Sequence, residues 1–200
     1  MQTPFPNPEP AQITGLILAG GRARRMDNED KGLLSLRGQP LIQHSIKRLQ
    51  TQLGTIIISA NRNRESYARL GFAVVADGDS DFAGPLAGIL AGLKAMQTEW
   101  LQCVPCDNPW LPNDLVERMA ATLIKERQYL AVPRWQNRLQ PVYCLLHRSL
   151  ATSLEDYLRS GEHKVQHWIQ QQEHCVVDFA DSDCFMNINT PEELQQAEEK

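Results

Sequence analysis

Two adjacent glycines followed by a group of cations form the stretch of this sequence best suited to bind a charged ligand. Gly20 and Gly21 come directly after residues 16–19, a short apolar run whose length suits a buried parallel strand. Four cationic side chains follow the glycines: Arg22, Arg24, Arg25 and Lys31. Glycine backbone N–H groups and nearby guanidinium and ammonium groups together bind polyphosphates. The stretch therefore predicts a phosphate-binding loop at the carboxyl end of a strand.

Two other phosphate-binding patterns are absent from this stretch. A Walker loop requires GxxxxGK[ST], and no glycine-lysine pair followed by serine or threonine occurs here. A dinucleotide fingerprint requires GxGxxG, whereas the next glycine after Gly21 is Gly32. The missing fingerprint disfavours a nicotinamide-dependent dehydrogenase. The residue types alone leave one plain alternative, which is a glycine turn beside a solvated basic loop.

Strand-length apolar runs alternate with helical patterns through the first two thirds of the sequence. We expect strands over residues 16–19, 55–59, 72–76 and 100–104, and helices over residues 40–53, 64–70, 84–96 and 114–126. Asn113 is expected to cap the last of these helices. The alternation predicts an α/β protein with a three-layer α/β/α, Rossmann-like arrangement around a mostly parallel sheet.

A polar side chain follows each of the last three of these strands: Asn61, Asp77 and Asp107. Because the carboxyl ends of parallel strands meet at one edge of a sheet, we expect these side chains to lie close to the glycine loop and to form one site. For the two aspartates, the residues alone leave open a second interpretation as simple loop caps.

The second half of the sequence is less regular. We expect strands over residues 130–133, 140–146 and 175–179, and helices over residues 149–159 and 164–172. Thr190 and Glu193, with Pro191 between them, are typical of a capping box at the start of a last helix. Cys103 and Cys106 have the spacing of metal ligands, but no second CxxC or histidine pair accompanies them, which disfavours a zinc site.

Length and composition limit the classes of protein to which the chain can belong. Its 200 residues suit one domain, and we expect a single domain over residues 13–200 after a proline-rich flexible leader over residues 1–12. A net charge of −4 argues against a general nucleic-acid binder. No apolar run approaches membrane-spanning length. Five scattered cysteines suit reduced thiols, so a cytoplasmic location is expected.

The glycine loop also carries a resemblance to a known family. LAGGRARRM followed by DKGLL resembles LAGG-x-[SA]-x-R-M-G-x-D-K, the signature of nucleotidyltransferases that make molybdenum cofactor, and in particular of the molybdenum cofactor guanylyltransferases. Asp27 stands where the family usually has a glycine, which affects the expected backbone path of the loop but not its charge. The resemblance covers most of the chain.

This resemblance implies a function for individual residues. The nucleotide-binding residues that it and the charge pattern imply are Leu18, Ala19, Gly20, Gly21, Arg22, Arg25, Lys31, Asn61, Asp77, Gly84, Pro85 and Asp107. Residues 84–88 match the family's GPLAG segment near the base, and residues 187–191 match its NxNTP segment. Some members have an asparagine where this chain has Ser59, so contacts to guanine or ribose are assigned either to Ser59 or to Asn61.

The predicted site could transfer a nucleotidyl group from a nucleoside triphosphate. A phosphate nucleophile is already anionic and needs no general base, whereas the charge that develops on the α-phosphate must be screened. We expect Lys31 to lie along the α-phosphate, and Arg22 and Arg25 to hold the β- and γ-phosphates. We expect Asp107 to bind Mg²⁺, a cation that proteins often hold through one or two carboxylates and the substrate's phosphates. Lys31 and Asp107 are therefore the expected catalytic residues.

The resemblance implies transfer of GMP from GTP to Mo-molybdopterin with release of pyrophosphate. The alternatives are a cytidylyltransferase for the same cofactor, another sugar-phosphate-type nucleotidyltransferase, and a non-catalytic nucleotide-binding regulator. We expect a monomer that hands its product to molybdenum-insertion and molybdoenzyme delivery proteins. Nucleic acids and membranes are not expected partners.

Overall fold

The computed structural model describes residues 5–19, 30–76, 84–180 and 184–199. Its strands are β1 (Ile13–Leu18), β2 (Ser35–Leu36), β3 (Gln39–Pro40), β4 (Thr55–Ser59), β5 (Ala73–Val75), β6 (Trp100–Pro105), β7 (Leu130–Trp135), β8 (Arg138–Leu139), β9 (Leu145–His147) and β10 (Cys175–Phe179). Its α-helices are α1 (Leu41–Gln50), α2 (Arg64–Ala68), α3 (Pro85–Ala95), α4 (Leu115–Glu126), α5 (Ala151–Arg159), α6 (Val165–Gln170) and α7 (Pro191–Glu199).

One mixed sheet lies at the centre of the fold. Within the described residues it has eight strands in the order β10-β7-β9-β6-β1-β4-β5, and β8 pairs with β7. β1 pairs in parallel with β4 and β6, β4 with β5, and β10 with β7. β9 runs antiparallel to both of its neighbours, β6 and β7. The predicted α/β fold with a mostly parallel sheet is therefore confirmed.

Helices cover both faces of this sheet, which explains the continuous apolar run of β1. Successive side chains of a strand point to opposite faces, so Ile13 and Ile17 join one hydrophobic cluster while Leu16 and Leu18 join the other. α1 and α4 supply the first cluster, and α3 and α5 supply the second. All six residues of β1 are buried, as expected for a strand with a helical layer on each side.

Two glycines let α3 pack very closely against the sheet. A Cβ atom added at Gly88 would lie 2.7 Å from Ser59 Oγ and 2.8 Å from Leu18 Cδ2. At Gly92 it would lie 2.7 Å from Leu16 Cδ2. Because glycine has no side chain at these two positions, α3 can lie close to β1 and to the carboxyl end of β4.

Two sequence-based expectations about local structure were wrong. Residues 140–146 do not form one strand, because residues 141–143 form a 3-10 helix and β9 begins only at residue 145. Pro141 has no N–H group to donate to a strand ladder, which favours the turn. Asn113 does not cap α4, because its Oδ1 accepts a hydrogen bond from the Arg48 guanidinium instead. The capping box of α7 is confirmed, since Thr190 and Glu193 each accept from the other's backbone N–H.

Part of the segment expected to be a flexible leader contacts the domain. The Phe5 ring lies 5.3 Å from the Tyr129 ring and 6.2 Å from the Trp100 ring. Residues 10–12 then form one 3-10 turn that leads directly into β1. Among the helices of the described residues, none is long and apolar enough to cross a membrane.

Candidate active site

The carboxyl ends of three adjacent strands form the floor of the candidate site. Leu18, the last residue of β1, lies beside Ser59 of β4 and Pro105 of β6. The Ala19 N–H donates to the Ser59 carbonyl over 2.8 Å, and the Cys106 N–H donates to the Leu18 carbonyl over 3.1 Å. The backbone of Leu18 and Ala19, both buried, therefore links the ends of β1, β4 and β6 by hydrogen bonds.

Lys31 and Asp107, the two expected catalytic residues, lie close together beyond these strand ends. Lys31 Nζ lies 3.5 Å from Asp107 Oδ2. The ammonium also donates a 2.7 Å hydrogen bond to Asn189 Oδ1. These two contacts hold the ammonium in place, and the Lys31 side chain, which is 25% exposed, remains open to a ligand from solvent.

A network around Asp30 fixes the turn that carries Lys31. Residues 31–33 form a 3-10 helix, and Asp30 Oδ1 accepts from the Gly32 N–H at its start. The same carboxylate accepts hydrogen bonds from the Tyr67 hydroxyl and from Asn63 Nδ2. Burial raises the pKa of Tyr67 far above its usual value, so its hydroxyl keeps the proton that it donates. The backbone at Lys31 is therefore held by α2 and by the loop before it.

Gly32 lies where this network leaves no room for a side chain. An added Cβ would lie 2.6 Å from Tyr67 Oη and 3.2 Å from Cys106 Sγ. We expect Gly32→Ala to displace the Lys31 turn, to cost about 1–3 kcal/mol of folding free energy, and to lower the reaction rate about tenfold or more. Melting temperature and rate should be measured together on the same preparation.

Gly54→Ala is the matched control for this prediction. Nothing lies within 4 Å of a Cβ added at Gly54, which is in the loop between α1 and β4. Its stability should stay within about 0.5 kcal/mol of the unaltered protein. A Gly32→Ala variant that behaves like the Gly54 control would show that the close packing of the turn does not matter.

Asp107 is a buried carboxylate with unused bonding capacity. Its Oδ1 atom is buried and has no hydrogen-bond partner among the described residues. Burial raises the pKa of Asp107, and the nearby Lys31 ammonium opposes that rise. A buried oxygen without a partner is costly unless something else binds it. The geometry therefore suits a carboxylate that takes a cation together with a ligand.

Asn189 was not assigned a function from the sequence, although it contacts Lys31 directly. It lies immediately before the capping box of α7, and its backbone N–H donates to Glu193 Oε2 over 2.5 Å. The adjacent Ile188 N–H donates to the Asp107 carbonyl over 2.9 Å. The only sequence signal was its place in the NxNTP segment, where a turn former was the simpler interpretation.

The other predicted site residues differ in how far the structure describes them. Gly84 is the N-cap of α3 with a φ of 70°, a conformation that suits glycine, and Pro85 is the first helical residue. Asn61 is half-buried just beyond β4, whereas Ser59 is buried beneath α3, so Asn61 is the more accessible of the two. The remaining predicted residues lie outside the described residues: Gly20, Gly21, Arg22, Arg25 and Asp77.

The cysteines of the CxxC pattern are buried thiols. Burial raises the pKa of Cys103 and of Cys106 well above the usual value, which favours the protonated form. All five cysteines of the chain lie within the described residues as buried thiols outside any disulfide. In the part of the chain that the structure describes, no group of three or more His, Cys, Asp or Glu side chains could hold a metal ion.

Comparison with known proteins shows that this sheet and the site at its carboxyl edge belong to a nucleotidyltransferase domain. The family model described as MobA-like NTP transferase domain matches residues 15–176. The fold is similar to the crystal structure of molybdopterin-guanine dinucleotide biosynthesis protein A from Archaeoglobus fulgidus, with a TM-score of 0.76 and 21% sequence identity. That similarity covers 93% of this chain and 97% of the other.

Closer relatives narrow the class to one family. The chain is 47% identical to a molybdenum cofactor guanylyltransferase from Shewanella sediminis, over 94% of this chain and 96% of the relative. It is also 47% identical to one from Cupriavidus metallidurans, over 93% and 94% of the two chains. The chain therefore belongs to the MobA-like NTP transferases and, within them, to the molybdenum cofactor guanylyltransferase family.

Proposed function

We propose that the chain transfers GMP from GTP to the phosphate of Mo-molybdopterin, forming molybdopterin guanine dinucleotide cofactor and releasing pyrophosphate. The observation that carries this proposal is the meeting of Lys31 with Asp107 at the carboxyl edge of the sheet of a guanylyltransferase family member. An ammonium and a carboxylate at that edge are what nucleotidyl transfer needs, and the family determines the nucleotide and the acceptor.

The reaction exchanges one phosphorus–oxygen bond for another. An oxygen of the acceptor phosphate attacks the α-phosphorus of GTP, and the bond from that phosphorus to the bridging β-phosphate oxygen breaks, so that pyrophosphate leaves. Because the attacking phosphate is anionic, the step requires no base from the protein. Lys31 supplies positive charge at the α-phosphate, where negative charge accumulates in the transition state. Asn189 and the Asp30 network hold Lys31 for this purpose.

The nucleotide extends from the glycine loop toward the start of α3 in this proposal. Arg22 and Arg25 bind the β- and γ-phosphates, and Asp77 and Asn61 bind the nucleoside. Gly84 and Pro85 lie near the base, at the end of α3 that Gly88 brings close to β4. The backbone from Leu18 to Gly21 supports the phosphates. These assignments are proposed from the sequence pattern and from the family resemblance.

Asp107 is the residue that would hold a divalent cation, for which we propose Mg²⁺. Its buried Oδ1 atom, which no described residue contacts by a hydrogen bond, fits a cation ligand. A single carboxylate is sufficient when the substrate's phosphates supply further oxygens. When bound, the cation would neutralise phosphate charge near the reacting phosphorus.

The choice of nucleotide tests this proposal. We expect GTP to be preferred over CTP and ATP by about 10²-fold or more in kcat/KM, since a site that hydrogen-bonds the guanine edge leaves polar groups unpaired with another base. Pyrophosphate release should be measured with each nucleotide, with and without Mo-molybdopterin, and the product identified by mass. Gly20→Ala should weaken GTP use more than CTP use, because the added methyl takes space needed by the second ring of a purine.

The alternatives predict different results in the same assay. Equal or better turnover with CTP would favour a cytidylyltransferase. Nucleotide binding without any pyrophosphate release would favour a regulator. Transfer to a sugar phosphate but not to Mo-molybdopterin would favour a related enzyme with another acceptor.

We also infer the setting in which the chain acts. The product passes to molybdenum-insertion and molybdoenzyme delivery proteins, and the enzyme acts as a cytoplasmic monomer. The cysteines outside any disulfide support a reducing compartment.

A further inference from the structure

Three polar side chains connect the core with Asn189, the residue that contacts Lys31. The first is Asn108, which follows Asp107 and is 0% exposed. Its Oδ1 accepts from the Trp110 N–H over 2.9 Å, and its Nδ2 donates to the Cys184 carbonyl over 3.0 Å. Because these backbone partners fix which end of the amide is oxygen, the remaining Nδ2 hydrogen points at the Tyr143 hydroxyl, 2.9 Å away.

Tyr143 is the second of these side chains. It is 2% exposed, and the edge of its ring meets the Phe185 ring at a centroid distance of 4.8 Å. A hydroxyl has one hydrogen to donate. Since Asn108 already donates to this oxygen, the Tyr143 hydroxyl donates its own hydrogen to Asn187 Oδ1. The hydroxyl is therefore the link between a rigid buried amide and the segment before α7.

Asn187 is the third side chain, and Asn189 connects it with Lys31. The Asn187 carbonyl accepts from Asn189 Nδ2 over 3.3 Å, and Asn189 Oδ1 accepts from Lys31 Nζ over 2.7 Å. An unbroken series of hydrogen bonds thus runs from the core to the ammonium.

We propose that Tyr143 is a positioning residue for the reaction, because its hydroxyl holds residues 187–189 so that Asn189 meets Lys31. This inference rests on the proposed function, and Tyr143 itself touches no reacting atom. The backbone bond from Ile188 to Asp107 and the capping box keep the segment attached without Tyr143. Loss of the hydroxyl therefore shifts the segment without unfolding it.

The test compares two buried tyrosines. Tyr143→Phe removes the hydroxyl and keeps the ring that packs on Phe185. We expect kcat to fall about tenfold or more with GTP affinity nearly unchanged, since a small misplacement of a group that acts in the transition state lowers the rate. Tyr157→Phe is the control. Tyr157 lies on α5, is 7% exposed, and donates its hydroxyl hydrogen to the Lys164 carbonyl, which is not part of the series. A Tyr143 variant with the control's kcat would overturn the proposal.

A double-mutant cycle tests the route by which Tyr143 acts. In an Asn189→Ala background, the series no longer reaches Lys31, so the further loss caused by Tyr143→Phe should shrink to less than about twofold. If Tyr143→Phe lowers kcat by the same factor in both backgrounds, the proposed route is overturned.

One measurement does not depend on turnover. The side-chain amide signals of Asn187 and Asn189 in ¹⁵N-correlated NMR spectra should move in Tyr143→Phe and stay in place in Tyr157→Phe. Unmoved signals would overturn the positioning proposal even in an active enzyme. If the signals move in Tyr143→Phe but the unaltered protein releases no pyrophosphate, the link from Tyr143 to Asn189 is supported and the proposed function is refuted.

Discussion

Replacing Lys31 by alanine is expected to lower turnover by at least ~10²-fold, the scale typical of removing one electrostatic stabiliser from a reaction centre. GTP affinity should change much less, because the ammonium interacts more strongly with the α-phosphate in the transition state than in the ground state. The structure supports this expectation, since Asn189 holds the ammonium beside Asp107. Turnover should be measured by pyrophosphate release at saturating substrates, and GTP binding by calorimetry.

Lys125→Ala is the matched control for the Lys31 variant. Lys125 lies in the last turn of α4, and its side chain is 80% exposed. Its removal deletes the same charge far from the strand ends and should leave turnover unchanged. Near-normal turnover of Lys31→Ala would remove this residue from the mechanism. An equal loss in both variants would instead indicate an effect of net charge.

Replacing Asp107 by asparagine is expected to abolish most activity without destabilising the fold. The change keeps the shape of the side chain and removes the charge that would hold a cation, so turnover should fall by ~10²-fold or more. Raising the Mg²⁺ concentration should recover part of the loss. The melting temperature should stay the same or rise, because burial raises the pKa of Asp107 and the folded state therefore disfavours its charged form.

The competing interpretation of Asp107 as a loop cap predicts the opposite pattern. A cap would lose stability while turnover stayed nearly intact. The Oδ1 atom argues against a cap, since a capping oxygen accepts from a backbone N–H and this oxygen accepts no hydrogen bond from the part of the chain that the structure describes. Asp114→Asn serves as the control, because Asp114 is the N-cap of α4 without a side-chain capping bond and its carboxylate pairs with Arg118 rather than with Lys31. Melting temperature and rate on one preparation decide between the two interpretations.

The sequence by itself determined the elements that local patterns control. β4 and β10 lie at the predicted residues, and the capping box of α7 forms as expected. The position of Asp107, two residues beyond the carboxyl end of β6, also follows from the strand pattern, because parallel strands bring the residues beyond their carboxyl ends to one edge of the sheet. Each of these predictions depends on the spacing of apolar residues, on a helix-capping pattern or on the end of a strand. Such signals lie within a few neighbouring residues.

Only the tertiary structure decided which distant polar groups complete the candidate site. Asn189 reaches Lys31 across 158 positions of sequence, and Tyr143 reaches Asn187 from a 3-10 turn that was expected to be a strand. An asparagine before a capped helix has the same local pattern whether it ends a turn or binds a lysine. Its partner depends on how β6, β9 and β7 bring the second half of the chain beside the first. That order follows from burying both faces of the sheet at once, a condition on the whole chain that no short stretch contains.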